Sequence, residues 1–220
     1  MRGAVSEAPS GRRSRAAAAT LYVNSAFGDP PGPVRDAARE GWVAIVPQAE
    51  LDAERIAAAT GIVTGNQLDQ DALLPLRPAL EAFLDAGGRW FFNGHVVRPL
   101  LAGLAPFVPM AEAKRADFAL CRLAAHPILD GIDLSQLETN RGVAGFYGRG
   151  HNPMPEGAVA VIGLRGGRVP VDWVWCRPGG GRIFSHSGND LGQAGREWDL
   201  PRLLHRRILN WTNGGPCLCV

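Results

Sequence analysis

The chain has 220 residues, 46% of them hydrophobic and 20% charged, enough for a globular domain with a substantial core. Its 23 basic and 21 acidic side chains leave a net charge of +2, a balance that gives no electrostatic footprint for nucleic acid or an anionic membrane. No apolar run approaches the roughly 18 residues a membrane span needs, and the expectation is a soluble, cytoplasmic chain.

The N-terminal stretch, residues 1–18, is rich in Arg, Ser and Ala and lacks an apolar segment of secretory length, so it reads as a flexible tail. A single α/β domain is expected over 19–213, followed by a C-terminal tail over 214–220. LYVNSAF (21–27) reads as the first strand, VRDAAREG as a short helix and WVAIVPQ (42–48) as the second strand. LDAERIAAA (51–59) is helical by propensity. GIVTGN (61–66) is short and apolar, as a parallel strand covered on both faces should be. A long helix is expected over 69–88, capped by Asp69 or Asp71, kinked at Pro78 and ended by Gly87-Gly88. RWFFN (89–93) reads as a fourth strand and HVVRPLLAGL as a further short helix. This βα alternation predicts a parallel sheet with right-handed crossovers.

The second half changes character. FALCRLA (118–124), GVAGFYG (142–148), AVAVIGL (158–164), VPVDWVWC (169–176) and GRIFSHS (181–187) read as strands with little helix between them. VIGLRGGRVPVDWVW is a hairpin on a Gly-Gly turn. A closing helix over 198–213 carries Leu203, Leu204, Ile208, Leu209 and Trp211 on one side. The fold class expected is α/β, a doubly wound, mainly parallel, flavodoxin-like sheet with a late antiparallel excursion.

Ligands in open parallel sheets bind at the carboxyl ends of the strands. The polar residues there are Asn24 and Ser25 after strand one, Asn66, Gln67, Asp69 and Gln70 after strand three, and Asn93, Gly94 and His95 after strand four. After the late strand come His186, Ser187, Gly188, Asn189 and Asp190. Asn66 and Gln67 suit a polyhydroxyl ligand, although a turn with a helix cap accounts for TGNQLDQ equally well. Gly94 supplies the permissive backbone of a sharp turn, and N–H groups at a helix start beyond it would favour an anion. His186 and His95 are the candidate acid/base groups, with Asp190 as orienter. In NRGVAGFYGRGHNP (140–153), Tyr147, Arg149 and His151 are placed to form a lid.

The chain holds no P-loop and no GxGxxG after an opening strand. His95, His151 and His186 lack zinc-site spacing, so neither metal nor cofactor is expected. Cys121 and Cys176 read as buried thiols, and Cys217-x-Cys219 as a terminus without a second metal-binding pair.

FLDAGGRWFFNGH, and GGGRIFSHSGNDLG followed by a Trp- and Leu-bearing helix, resemble the class I glutamine amidotransferase-like superfamily. The nearest branch is the trehalose-utilisation-protein-like (ThuA-like) one, and the resemblance covers about residues 20–213. The amidotransferases carry a Cys at an elbow written roughly G-x-C-x-G-H and later a His-Pro-Glu. Matching Gly94-His95 puts Phe92 at the Cys position, and matching His186 puts Gly188 at the Glu position. The resemblance thus implies a retained elbow without glutaminase chemistry, since no thiolate is present to form the covalent intermediate. It also implies a ThuA-like protein that binds or processes a small carbohydrate-like ligand, with hydrolysis or other acid/base chemistry left open. The ligand-binding set would be Asn66, Gln67, Asn93, Gly94, Ser187, Asn189 and Tyr147. No nucleic acid or membrane partner is expected, and a homo-oligomer is left open. The rival expectation is a non-catalytic interaction module presenting Trp42, Trp198 and Trp211.

Overall fold

A computed structural model describes residues 19–25, 28–140, 143–194 and 199–216. The expected tail over 1–18, Phe27, Trp198, Cys217 and Cys219 lie outside the described residues.

Eight strands form one sheet: β1 (Thr20–Asn24), β2 (Val43–Pro47), β3 (Gly61–Thr64), β4 (Arg89–Asn93), β5 (Cys121–Arg122), β6 (Val159–Leu164), β7 (Val169–Cys176) and β8 (Arg182–His186). Their order is β2-β1-β3-β4-β8-β7-β6-β5. The first five in that order run parallel, and β7, β6 and β5 alternate antiparallel beyond β8. The mainly parallel sheet with a late antiparallel excursion is therefore present. Two short ribbons, Val108–Pro109 with Gly150–His151 and Thr139–Asn140 with Val143–Ala144, stand outside it.

The sequence forms these elements for local reasons. β3 and β4 are central, and their apolar residues are buried on both faces of the sheet. β2, at one edge, buries Val43 on one face and Val46 on the other, and Pro47 ends it where a missing N–H does least harm. The other edge, β5, is only two residues long, which limits edge-to-edge pairing. The β6–β7 hairpin turns through Arg165, Gly166 and Gly167, all at positive φ.

Helices cover both faces. On one, α1 (Gly32–Arg39) and α5 (Asp199–Thr212) bring Val34, Ala37, Leu204, Ile208 and Trp211 onto Tyr22, Val63, Phe91, Val174 and Phe184. On the other, α2 (Ala53–Ala58) and α4 (Arg77–Asp85) bring Ile56, Leu80, Phe83 and Leu84 onto Leu21, Ile62, Trp90 and Ile183. Asp52 caps α2 by accepting from the Arg55 N–H at 2.8 Å.

Several expectations are corrected. The long helix over 69–88 divides into α3 (Gln70–Leu73), a 3₁₀ turn over Leu74–Leu76 and α4, because two prolines stand at the starts of the later pieces. Asp69 is its cap, accepting from Ala72 N–H, and Gly87 at φ 91° ends it. HVVRPLLAGL is irregular, not helical. Among the described residues, FALCRLA and GVAGFYG contribute only Cys121–Arg122 and Val143–Ala144 to strands. Leu203 faces outward on α5, 40% exposed. Cys121 is only partly buried and Cys176 is exposed.

Candidate functional site at the carboxyl edge

The carboxyl edge is built on strand register. His186 of β8 pairs with Asn93 of β4 on one side and with Asp172 of β7 on the other, so three adjacent strands present a polar row. Side chains alternate along a strand, which puts Asn93 on the same face as Phe91 and His186 on the same face as Phe184. That face is the one α1 and α5 cover.

The row continues into a sealed network. His186 Nδ1 lies 2.6 Å from Asp172 Oδ1, and its Nε2 lies 2.6 Å from the Asn189 carbonyl. Tyr147 donates its hydroxyl to the second Asp172 oxygen. Asn189 Nδ2 donates to the Phe146 carbonyl at 2.8 Å, joining the loop after β8 to the segment before β6. Both ring nitrogens of His186 face oxygen acceptors. Both contacts are donor–acceptor bonds only when both nitrogens carry hydrogen. His186 and Asp172 are each fully buried. Burial first, and then the Asp172 charge and hydrogen bond, hold the Tyr147 phenol above its ordinary range and keep it a donor.

This network corrects three expectations. The acid that orients His186 is Asp172 from the neighbouring strand, not Asp190. With both nitrogens engaged and the side chain buried, His186 has no atom left to exchange a proton with a ligand. Tyr147 is 1% exposed and forms part of the interior, not a lid. Arg149 folds back onto the Ala144 and Gly145 carbonyls and the Phe118 ring, and His151 pairs with Val108 in a ribbon. Ser187 is fully buried and directs its hydroxyl at the Val171 carbonyl at 2.8 Å, away from any ligand position.

A second polar group occupies the same edge and is not sealed. Tyr22, Thr64, Asn93, Asp190 and His205 line a narrow cavity between β1, β3, β4 and α5, floored by Val63 and Phe91. Its volume is ≈ 10 Å³, room for about one water or one ligand hydroxyl. Tyr22, Asn93 and His205 are at most 6% exposed. Among the described residues the Tyr22 hydroxyl, the Asn93 amide nitrogen and His205 Nε2 have no hydrogen-bond partner. The other ends of two of these side chains are engaged. Asn93 Oδ1 accepts from Leu191 N–H at 3.2 Å, and His205 Nδ1 donates to the Pro201 carbonyl at 2.9 Å. In the neutral ring that second bond places the hydrogen on Nδ1 and leaves Nε2 as an acceptor. Asp190 Oδ1 accepts from Gly192 N–H at 2.9 Å, capping the turn that carries it. Burial, and next the Asp190 charge, push the Tyr22 phenol up, so it too remains a donor. Donors and acceptors thus converge on one small space.

The turn after β4 differs from the expected elbow. Gly94 has φ 107°, and a Cβ there would come within 2.8 Å of Asn66 Cα, so the need for glycine holds. The helix beyond it is absent. Val96 N–H donates to Asn152 Oδ1, while Val97 and Arg98 N–H both donate to Gln70 Oε1, at 2.8–3.0 Å. Gln70 Nε2 donates to the His95 carbonyl, and Asn152 Nδ2 donates to the Gly94 carbonyl and to Ser185 Oγ. The N–H groups that a helix start would offer to an oxyanion are therefore filled by two side chains. Phe92, at the matched nucleophile position, is buried in the core of the opposite face.

His95 is exposed and stacks on Phe107 at 3.6 Å between ring centroids. Its pKa is lowered, by partial burial first and then by the charge of His186, so it is a neutral imidazole at pH 7. Asn66 and Gln67 are exposed beside Gly65, which lines the cavity, and Asn189 is exposed on the loop that carries Asp190. The three-tryptophan surface is not assembled, since Trp211 is core and Trp42 alone is seen exposed.

Tyr22 and His205 were missed in the sequence. The signal for each is a polar ring inside an apolar pattern, LYVN on a strand and LLHRRIL on a helix. No group of three or more His, Cys, Asp or Glu side chains suited to a metal occurs among the described residues. No helix among them is long and apolar enough to cross a membrane. No family model matches the chain, and no curated protein matches it.

Proposed function

We propose that the chain is a ThuA-like protein on a doubly wound, flavodoxin-like sheet. It binds, and where it is an enzyme processes, a small carbohydrate-like ligand at the carboxyl edge. The observation that carries this reading is the cavity lined by Tyr22, Asn93, Asp190 and His205. It lies between β1 and β3, where the strand order reverses direction, and ligands of open α/β sheets collect at that switch point. These polar atoms have no protein partner and open onto the cavity, where a ligand hydroxyl would engage several of them at once.

In this reading Tyr22 and the Asn93 amide donate to the ligand. Asp190 or His205 Nε2 accepts from the one ligand hydroxyl that enters the cavity. Asn66, Gln67 and His95 contact the part that stays outside. Without a thiol or hydroxyl nucleophile at the elbow, acyl transfer through a covalent intermediate is left out, and the chemistry compatible with the lining is proton transfer.

A thermal-shift screen of sugars and sugar acids tests this. A ligand at about 100 times its Kd adds roughly 2.7 kcal/mol to stability. The expected result is a hit whose shift disappears in Tyr22→Phe and Asp190→Asn. A hit that both variants leave unchanged would contradict the proposed site.

A further inference from the structure

A second cleft lies on the outer surface, between α1, α5 and the residue that precedes β2. Its volume is ≈ 670 Å³, within the range of small-molecule sites. Asp36, Arg39, Glu40, Trp42, Arg202 and Arg206 supply its polar and aromatic lining.

Trp42 is 41% exposed, yet its backbone is fixed: its N–H donates to the Ala37 carbonyl at 3.0 Å, and its own carbonyl accepts from Asn213 at 3.3 Å. The indole thus stands on an anchored backbone and is open to solvent. The Arg206 guanidinium stands 6.0 Å from its ring centroid. Arg202 lies one turn earlier on α5, on the same face.

The arginine bonding pattern sets this cleft apart. Among the described arginines, only Arg115, Arg202 and Arg206 have a guanidinium that donates to no protein oxygen. Two of those three face one cleft beside one exposed indole. The nearby acid Asp36 is already held by Arg39 at 3.0 Å, so it does not neutralise them. Glu40 makes no ion pair among the described residues and stands at the rim as an acceptor.

We infer that this cleft is a binding site for a planar ring that carries an acid group and hydroxyls, a mononucleotide-type ligand. The ring stacks on Trp42, the acid group sits between Arg202 and Arg206, and Glu40 accepts from a hydroxyl. Arg is suited to this role because its planar fork matches phosphate and carboxylate oxygens. The site is separate from the carboxyl-edge cavity and does not depend on the reading given to that cavity.

Isothermal titration with AMP at low salt tests the assignment, with adenosine and inorganic phosphate as fragments. AMP is expected to bind more tightly than either fragment. Trp42→Ala should weaken it roughly tenfold, the usual effect of removing one stacking platform. Arg202→Gln combined with Arg206→Gln should weaken it at least as much and remove its salt dependence. These are surface changes, and unaltered thermal midpoints would verify folding. Failure of AMP to bind at millimolar concentration, or binding that both variants leave intact, would overturn the inference. So would AMP binding lost in Tyr22→Phe and kept in the cleft variants, which would place the ligand at the carboxyl edge.

Discussion

Two groups of buried polar residues share the carboxyl edge of this sheet, and they differ in one respect. In the Tyr147–Asp172–His186–Asn189 network each ring nitrogen, the phenol and both carboxylate oxygens have a partner. Around the neighbouring cavity, Tyr22, Asn93 and His205 each keep a polar atom without one. Polarity that is completed internally fixes architecture, here the loop after β8. Polarity left incomplete at a cavity is available for recognition. The histidine that looks most catalytic in the sequence belongs to the first kind.

The largest effect should come from breaking the sealed network. Asp172→Asn removes the charge opposite His186 and is expected to destabilise the fold by about 3–5 kcal/mol, read from the urea midpoint. A loss below about 1 kcal/mol would mean that the pair is not sealed.

Acid should act through a different histidine. His126 packs against Phe184 and Trp211, and its pKa is pushed down to about 4 by burial first and then by the Arg89 charge. The folded value lies below the unfolded one, near 6.5. Its contribution is therefore fully present above about pH 6.5 and is lost as pH falls toward about 4, on the order of 3 kcal/mol. Denaturant titrations across that window should show this slope, and His126→Gln should flatten it. An unchanged slope in the variant would assign the acid sensitivity elsewhere.

A smaller effect is expected at the turn after β4. Gln70→Ala leaves the His95 carbonyl and two N–H groups without their partner, a loss of about 1–3 kcal/mol. Hydrogen exchange at Val97 and Arg98 should accelerate, and protected amides there would refute the role given to Gln70. The smallest effect belongs to the open group. Tyr22→Phe removes a hydroxyl with no protein partner and should change stability by less than about 1 kcal/mol.

Much of the fold was legible in the sequence. Apolar runs marked β1 to β4 and β8, Gly166-Gly167 marked the hairpin, and Asp69 and Gly87 marked a helix start and stop. The reading of HVVRPLLAGL as a helix was misleading, because the acceptors that hold residues 96–98 out of a helix come from Gln70 and Asn152, distant in the chain. The site was legible only in part. Asn93 ends β4 and Asp190 lies on the loop after β8, so the sequence pattern singles out both as residues at the carboxyl edge. Asp172 was hidden inside VPVDWVWC, and its partnership with His186 exists only through the pairing of β7 with β8. A charged residue within an apolar strand was the one available sign.

The central claim is tested most directly by one paired measurement: unfolding free energy, with and without a sugar-type ligand from the screen, for Tyr147→Phe and Tyr22→Phe. The account predicts that Tyr147→Phe loses about 1.5–3 kcal/mol, the worth of a hydrogen bond to a charged group, and keeps the ligand's stabilising shift. Tyr22→Phe should keep its stability and lose the shift. The reverse pattern, with stability lost at Tyr22 and ligand response lost at Tyr147, would contradict the division between sealed and open polarity.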